Sequence, residues 1–205
     1  MRIRDARIVA SAAGAEGFPR EGLAEVAFLG RSNAGKSSLL NALAGRRELA
    51  RVSATPGKTR LLHFFRIERL DEGDHAHALL FVDLPGYGFA RVAKSERRAW
   101  QALVEGYLER RAPLRAAVLI QDLRRDAGDD ELALVDWLAL RGVPVVIAAT
   151  KADKLGHGAR AERLRALAAA YGSRARLVAT SARTRLGVAE LWAVLAELTS
   201  DQKIP

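Results

Sequence analysis

The stretch "GRSNAGKSS", residues 30–38, follows the apolar run "AEVAFLG" and precedes the helix-like "LLNALAG". Two glycines, a lysine and two adjacent serines therefore crowd one turn between a strand-like and a helix-like segment. The spacing Gly30-x-x-x-x-Gly35-Lys36-Ser37 has a physical reading. Glycine lets backbone N–H groups curl around a phosphate, and the following helix offers its positive N-terminal end. In this reading Gly30, Arg31, Ser32, Asn33 and Ala34 form the cradle, with Gly35 closing it. Lys36 reaches the β- and γ-phosphates, the Ser37 hydroxyl coordinates Mg²⁺, and Ser38 is counted among the nucleotide-binding residues.

Outward from this loop, strand-like runs alternate with amphipathic helices, the pattern of an α/β protein with a parallel sheet covered on both faces. Strands are expected at 25–30, 61–67, 77–83, 116–122, 144–150 and 175–180, and helices at about 37–44, 95–111, 129–140, 159–171 and 187–198. In the last helix Val188, Leu191, Trp192, Leu195 and Leu198 form a core-facing stripe. "LDEGDHAH" reads as a turn between the second and third strands, making that pair antiparallel. The expectation is thus a six-stranded, mostly parallel sheet with one antiparallel strand. Residues 1–22 are expected to be a short flank, 23–199 the folded domain and 200–205 a tail.

The third expected strand ends in "FVDLPGYG". A carboxylate at a strand's C-terminal end, here Asp83, can hold a Mg²⁺ water. Leu84 and Pro85 then lead to Gly86, whose N–H can approach a γ-phosphate closely. Between the two elements lies "RVSATPGKTR". Its Pro56, Gly57, Lys58 and Thr59 are expected beside the nucleotide, with Thr59 preferred over Thr55 as a further Mg²⁺ ligand.

The fifth strand closes on "AATKAD". Guanine carries N1–H and N2–H₂ donors that match a carboxylate in a bidentate pair, and Asp153 supplies that carboxylate. The Lys151 stem can lie along the base with its charge in water, and Thr150 and Ala152 complete the loop. Adenine lacks the donor pair and leaves the carboxylate unsatisfied, at a cost of about 1–3 kcal/mol. The sixth strand ends in "TSAR", where Thr180, Ser181 and Ala182 bring backbone donors to guanine O6. The nucleotide read from these residues is GTP or GDP, not ATP.

Composition narrows the setting. The 205-residue chain suits one domain with a sizeable core. It has no cysteine, which excludes disulfides and thiolate metal sites. The start, "MRIRDARIVASAAGAEG", lacks a continuous apolar segment, and no run approaches a membrane span. A cytoplasmic, soluble monomer is expected, with no membrane partner. The formal net charge is +9. From 156 to 186 seven arginines face one acid, and from 91 to 115 seven basic residues face three acidic ones. Such fields favour nucleic acid or another polyanion.

Taken together, "GRSNAGKSSLLNAL", "TPGKT", "DLPGYGFA", "TKADKL" and "TSA" resemble the five guanine-nucleotide motifs of the TRAFAC-class GTPases. They are most similar to the EngB (YihA/YsxC) ribosome-assembly group, with "FPREGLAEVAFLGRSN" resembling its lead-in. "GRSN" and "DLPGYG" are the discriminating pieces, and the resemblance spans about residues 8–198. It implies a Ras-like P-loop GTPase fold and hydrolysis of Mg²⁺-GTP. It also implies a role in maturing the large ribosomal subunit, with its rRNA as a partner, and a part in division septum formation. Thr150 stands where many GTPases carry asparagine.

Lys36, Asn33, Thr59 and Gly86 are the residues expected to act on the reacting phosphate. Tyr87 occupies the place of a water-positioning glutamine, so intrinsic hydrolysis is expected to be slow. Asn33 resembles the asparagine of GTPases that bind K⁺ beside the β- and γ-phosphates; its alternative role is to cap or brace the loop. His63, His75, His77 and His157 show no paired spacing, and Asp122 and Arg124 read as loop or packing groups near the sheet rim. Two other functional readings stay open: a nucleotide-dependent binding module whose hydrolysis is dispensable, and a regulator acting on a division protein.

Overall fold

The computed structural model describes residues 2–50, 61–71, 73–86 and 94–199; within 94–100 it describes the backbone and, of the side chains, only that of Arg98. The strands are β1 (Arg2–Ala12), β2 (Glu25–Gly30), β3 (Leu62–Leu70), β4 (Ala76–Asp83), β5 (Leu114–Asp122), β6 (Val145–Thr150) and β7 (Arg176–Ala179). The helices are α1 (Lys36–Leu43), α2 (Lys94–Arg110), α3 (Asp129–Ala139), α4 (His157–Tyr171) and α5 (Val188–Thr199).

The strands form one seven-stranded sheet in the order β1-β3-β4-β2-β5-β6-β7. The six-stranded expectation is therefore corrected: residues placed in a short flank contribute β1, which pairs antiparallel with β3. Its register slips twice, between Ile3 and Asp5 and between Ile8 and Ala10. These irregularities break the strict alternation that marks a strand, and Arg2, Arg4, Asp5 and Arg7 dilute what remains. β3 also runs antiparallel to β4, while β4, β2, β5, β6 and β7 are mutually parallel. One strand, β3, opposes all the others.

Every residue of β2 and β6 is buried. Strands covered on both faces read as continuous apolar runs, which is why "EVAFLG" and "VVIAAT" lack a polar side. Alternate residues serve the two faces. Val26 and Phe28 join Leu39, Leu40, Leu43, Phe81 and Trp192 beneath α1 and α5. Ala27 and Leu29 join Phe64, Val104, Tyr107, Leu138, Leu167 and Tyr171 beneath α2, α3 and α4.

Two opposite rims follow from the parallel registers. At the amino-terminal rim the fully buried Glu25 accepts hydrogen bonds from Tyr107 Oη (2.8 Å) and from Arg111 Nε and Nη2 (3.0 and 2.6 Å). Arg111 Nη2 also donates to the Pro19 carbonyl (2.6 Å), so the lead-in segment, β2 and the end of α2 are joined there. At the carboxyl rim Phe28 lies beside Asp83, Gly30 beside Ile120, and Asp122 beside Thr150. The loops after β2, β4, β5, β6 and β7 all leave from this second rim.

Candidate functional site

The loop after β2 turns from Gly30 into α1, which opens at Gly35 with φ of 105°. Asn33 has φ of 63°, a left-handed conformation in which asparagine is among the few tolerated non-glycine residues. Asn33 thus has a backbone reason for its identity, independent of any ligand. Among the described residues its side chain makes no hydrogen bond. Arg31 turns aside toward α3, where its Nη1 lies 3.8 Å from the buried Glu131.

Lys36 Nζ contacts Asp83 Oδ1, joining the start of α1 to the end of β4. Ser37 is half-buried one residue further along the same helical turn. Leu84 is buried and its N–H donates to Phe28 O (3.1 Å), which fixes the path through Pro85 to Gly86. Gly86 abuts the first loop so closely that an added Cβ would lie 3.2 Å from Gly30 O and 3.5 Å from the Ser32 nitrogen. Pro56, Gly57, Lys58 and Thr59 lie outside the described residues, as does Tyr87.

The loop after β6 is bonded directly to the first loop. Thr150 Oγ1 donates to Ala34 O (2.5 Å), and Lys151 Nζ donates to Asn33 O (2.6 Å). Lys151, with φ of 59°, also pairs with Asp122 Oδ2 (3.0 Å). Asp122 in turn accepts Arg124 Nη2 (2.7 Å) and the Arg124 N–H (3.1 Å). Burial pushes the Asp122 carboxyl up, but the bonds from Arg124 and Lys151 outweigh it and hold the group well below the ordinary carboxylate range. The sequence reading of Asp122 as a loop or packing group near the sheet rim misses its role as the anchor of Lys151. Its position at the end of an apolar strand was the available signal, one that Asp83 shares.

Ala152 is buried, and its N–H donates to Thr180 O (3.1 Å), bonding this loop to the one after β7. Asp153 Oδ1 accepts Ser181 Oγ (2.7 Å) and Oδ2 accepts Arg183 Nε (2.8 Å). These two partners, Ser181 first, hold the Asp153 carboxyl below its usual range against the opposing effect of burial. Ser181 Oγ also accepts the Thr184 N–H (3.1 Å), which commits its own proton to Asp153. Gly187 makes this turn possible: at φ of 67°, an added Cβ would fall 1.9 Å from Ala179 O. A cavity of about 670 Å³ opens here, lined among others by Gly35, Ser38, Thr150, Lys151, Asp153 and Ala182. That is a size suited to a nucleoside-scale ligand.

The oxygen donors Ser37 and Asp83 suit a hard divalent cation. Among the described residues no three His, Cys, Asp or Glu side chains converge to cage a metal. Mg²⁺ is typically held by one or two protein oxygens with substrate phosphates and water, so the residues present fit it.

Five of the seven arginines between 156 and 186 are engaged within the protein, Arg183 with Asp153 as above. Arg163 pairs with Asp126 (2.8 Å), Arg174 with Asp136 (2.7 Å) and Arg176 with Glu197 (2.6 Å). Arg185 donates to Ala42 O (2.6 Å). His75 and His77 both hydrogen-bond Asp71 at the exposed β3–β4 turn (3.3 and 3.0 Å), away from the carboxyl rim. No described helix is long and apolar enough to cross a membrane.

A family profile described as a 50S ribosome-binding GTPase matches residues 25–151. The chain is 40% identical over 198 residues to a probable GTP-binding protein EngB of Myxococcus xanthus, covering 96% of each chain. With the probable GTP-binding protein EngB of Syntrophotalea carbinolica it shares 45% identity over 172 residues, 84% of this chain and 79% of that one. The crystal structure of a probable GTP-binding protein engB shares its fold, with a TM-score of 0.62 at 20% identity over 87% of this chain and 100% of the other. The chain belongs to the EngB family of GTP-binding proteins, TRAFAC-class P-loop GTPases.

Proposed function

We propose that the chain binds GTP and GDP at the carboxyl rim, hydrolyses GTP slowly, and acts as a nucleotide-dependent switch in large ribosomal subunit assembly, with a consequent role in division septum formation. The observation that carries this reading is the pair of bonds from Thr150 and Lys151 to the phosphate-loop carbonyls. They set an oriented carboxylate, Asp153, beside a glycine-rich helix start. A phosphate cradle alone accepts any nucleotide; the carboxylate adds a test of the base.

In this reading the backbone N–H groups of residues 31–38 cradle the phosphates, and Lys36 supplies positive charge to the β- and γ-phosphoryl oxygens. Ser37, Asp83 and Thr59 would hold Mg²⁺, which when bound neutralises charge on those oxygens. The Gly86 N–H donates to the γ-phosphate. Asn33 adds a side-chain oxygen for K⁺ at the same phosphates. The Lys151 stem lies along the purine, Asp153 accepts its N1–H and N2–H₂ donors, and Thr180, Ser181 and Ala182 frame its O6 edge. Tyr87 offers no carboxamide to orient water, which keeps the intrinsic rate low. The net charge of +9 favours an rRNA partner, approached mainly through long-range attraction because so many arginines are already paired.

Two measurements test this. Calorimetry should find GTP and GDP bound at least about 10³-fold tighter than ATP; equal affinities would remove the base reading. Co-sedimentation with large ribosomal subunits should then depend on nucleotide and fall steeply with salt. Association indifferent to GTP, GDP and a non-hydrolysable analogue would remove the switch.

A further inference from the structure

Arg183 follows the last residue assigned above to the base pocket, and its side chain is 69% exposed. An exposed arginine ordinarily serves solubility. This one does not extend freely into water: it returns to a carboxylate that is only 8% exposed and donates through Nε (2.8 Å).

The stoichiometry of lone pairs gives that contact a meaning. An ionised carboxylate accepts about four hydrogen bonds, two on each oxygen. Ser181 takes one position on Asp153 Oδ1 and Arg183 takes one on Oδ2. No other side chain among the described residues hydrogen-bonds either oxygen, which leaves acceptor capacity toward the cavity that Asp153, Ala182 and Arg183 all line. Held at both oxygens, the carboxylate cannot rotate to offer a single oxygen or to favour one donor over two. We propose that Arg183 is a specificity-determining residue: with Ser181 it locks Asp153 in the orientation that accepts two parallel N–H donors from one purine edge. This rests on the reading of Asp153 as the group that reads the base.

A purine with only one donor at that edge profits less from a locked carboxylate. Hypoxanthine keeps the N1–H of guanine but lacks the 2-amino group, so IDP is the discriminating probe against GDP. Removing Arg183 frees Oδ2, and the carboxylate can then turn toward a single donor. The discrimination shrinks more than the affinity for the common N1–H. The acid side of binding shifts as well. Arg183 contributes, after Ser181, to holding the Asp153 carboxyl low, so without it the loss of GDP binding on acidification begins at a higher pH.

The experiment is calorimetric titration of the full chain with GDP, IDP and ADP from pH 4.5 to 7.5, for wild type, Arg183→Ala and Arg183→Lys. In Arg183→Ala the GDP-to-IDP affinity ratio is expected to fall by about threefold or more, the scale of a half-exposed ion pair, with thermal stability unchanged. Arg183→Lys retains the charge and should restore the acid-side profile while recovering only part of the ratio. GDP and IDP weakened by the same factor, or a ratio unchanged in Arg183→Ala, would overturn the proposal. A wild-type protein that binds GDP no better than ADP would instead overturn the base reading beneath it.

Discussion

Asp122→Asn separates charge from shape, because the two side chains are nearly isosteric and no cavity opens. The carboxylate is 6% exposed and lies 3.0 Å from Lys151 Nζ. At an effective dielectric of about 20, unit charges at that distance attract by roughly 332/(20 × 3.0), about 5.5 kcal/mol before desolvation. Most of this is offset by the cost of burying Asp122 and by water at the cations, since Lys151 and Arg124 are 30% and 46% exposed. Exposed pairs contribute up to about 1 kcal/mol and broken buried pairs cost about 3–5, so a pair with one buried member should be worth about 2 kcal/mol. That corresponds to roughly 4–8 °C in Tm for a chain of this size. Nucleotide affinity should fall only about fivefold, because Lys151 keeps its bond to Asn33 O. The pH dependence supplies the sharper check. The folded-state pKa of Asp122 is depressed, so its contribution is complete above the unfolded value of about 4 and is lost as pH falls through the folded one. Urea unfolding of both proteins from pH 7.5 to 2.5 should therefore show curves about 2 kcal/mol apart at neutral pH that converge below about pH 4. Curves that coincide at pH 7, or stay parallel into acid, would refute the assignment of Asp122 as a charged anchor.

At the opposite rim, Glu25→Ala strands Arg111 and the buried Tyr107 without their shared acceptor. It should cost about 3–5 kcal/mol in chemical denaturation while the folded fraction still binds GDP with wild-type affinity. Gly187→Ala places a methyl carbon where only 1.9 Å separates it from Ala179 O, so the turn carrying Ser181 must move. GDP titration should show at least about tenfold weaker binding, whereas the phosphate loop itself is untouched.

The fold was legible wherever burial on both faces left uninterrupted apolar runs. β2, β5 and β6 were read to within two residues because strands in the middle of a parallel sheet carry no polar side to blur their limits. β1 was not legible. Its two register slips shift the alternation, and its position at the sheet edge leaves Ile8 half exposed, so neither periodicity nor burial marks it in sequence. The pairing of the arginines was not legible for a different cause. Arg163, Arg174 and Arg176 find their acids 21 to 38 residues away in sequence, and local charge counts are blind to such partners. Within the site, residues at strand ends could be named because parallel topology sends all those ends to one rim. Asp122 sat at such an end as well, but its partner Lys151 follows the end of the next strand of the sheet, so nothing local in the sequence joins the two.

The deeper regularity is mechanical. Thr150 and Lys151 are adjacent residues, and they donate to adjacent carbonyls, Ala34 and Asn33, across sequence separations of 116 and 118 residues. Two neighbouring bonds resist rotation where one would permit it, so the loop proposed to face the base is held in register with the loop proposed to face the phosphates. Asp122 extends that body into β5 through Lys151, and Thr180 extends it into β7 by accepting the Ala152 N–H. Three strand ends thereby stiffen a corner whose outer loops are short. In the proposed site base recognition and phosphate binding are coupled: a change that loosens Thr150 or Asp122 is expected also to alter how the Asn33 and Ala34 peptides face a phosphate. Affinity lost through either residue should therefore be shared between a nucleotide and its phosphate-free nucleoside in unequal parts, with the larger loss in the nucleotide, and a loss confined to the base would contradict the coupling.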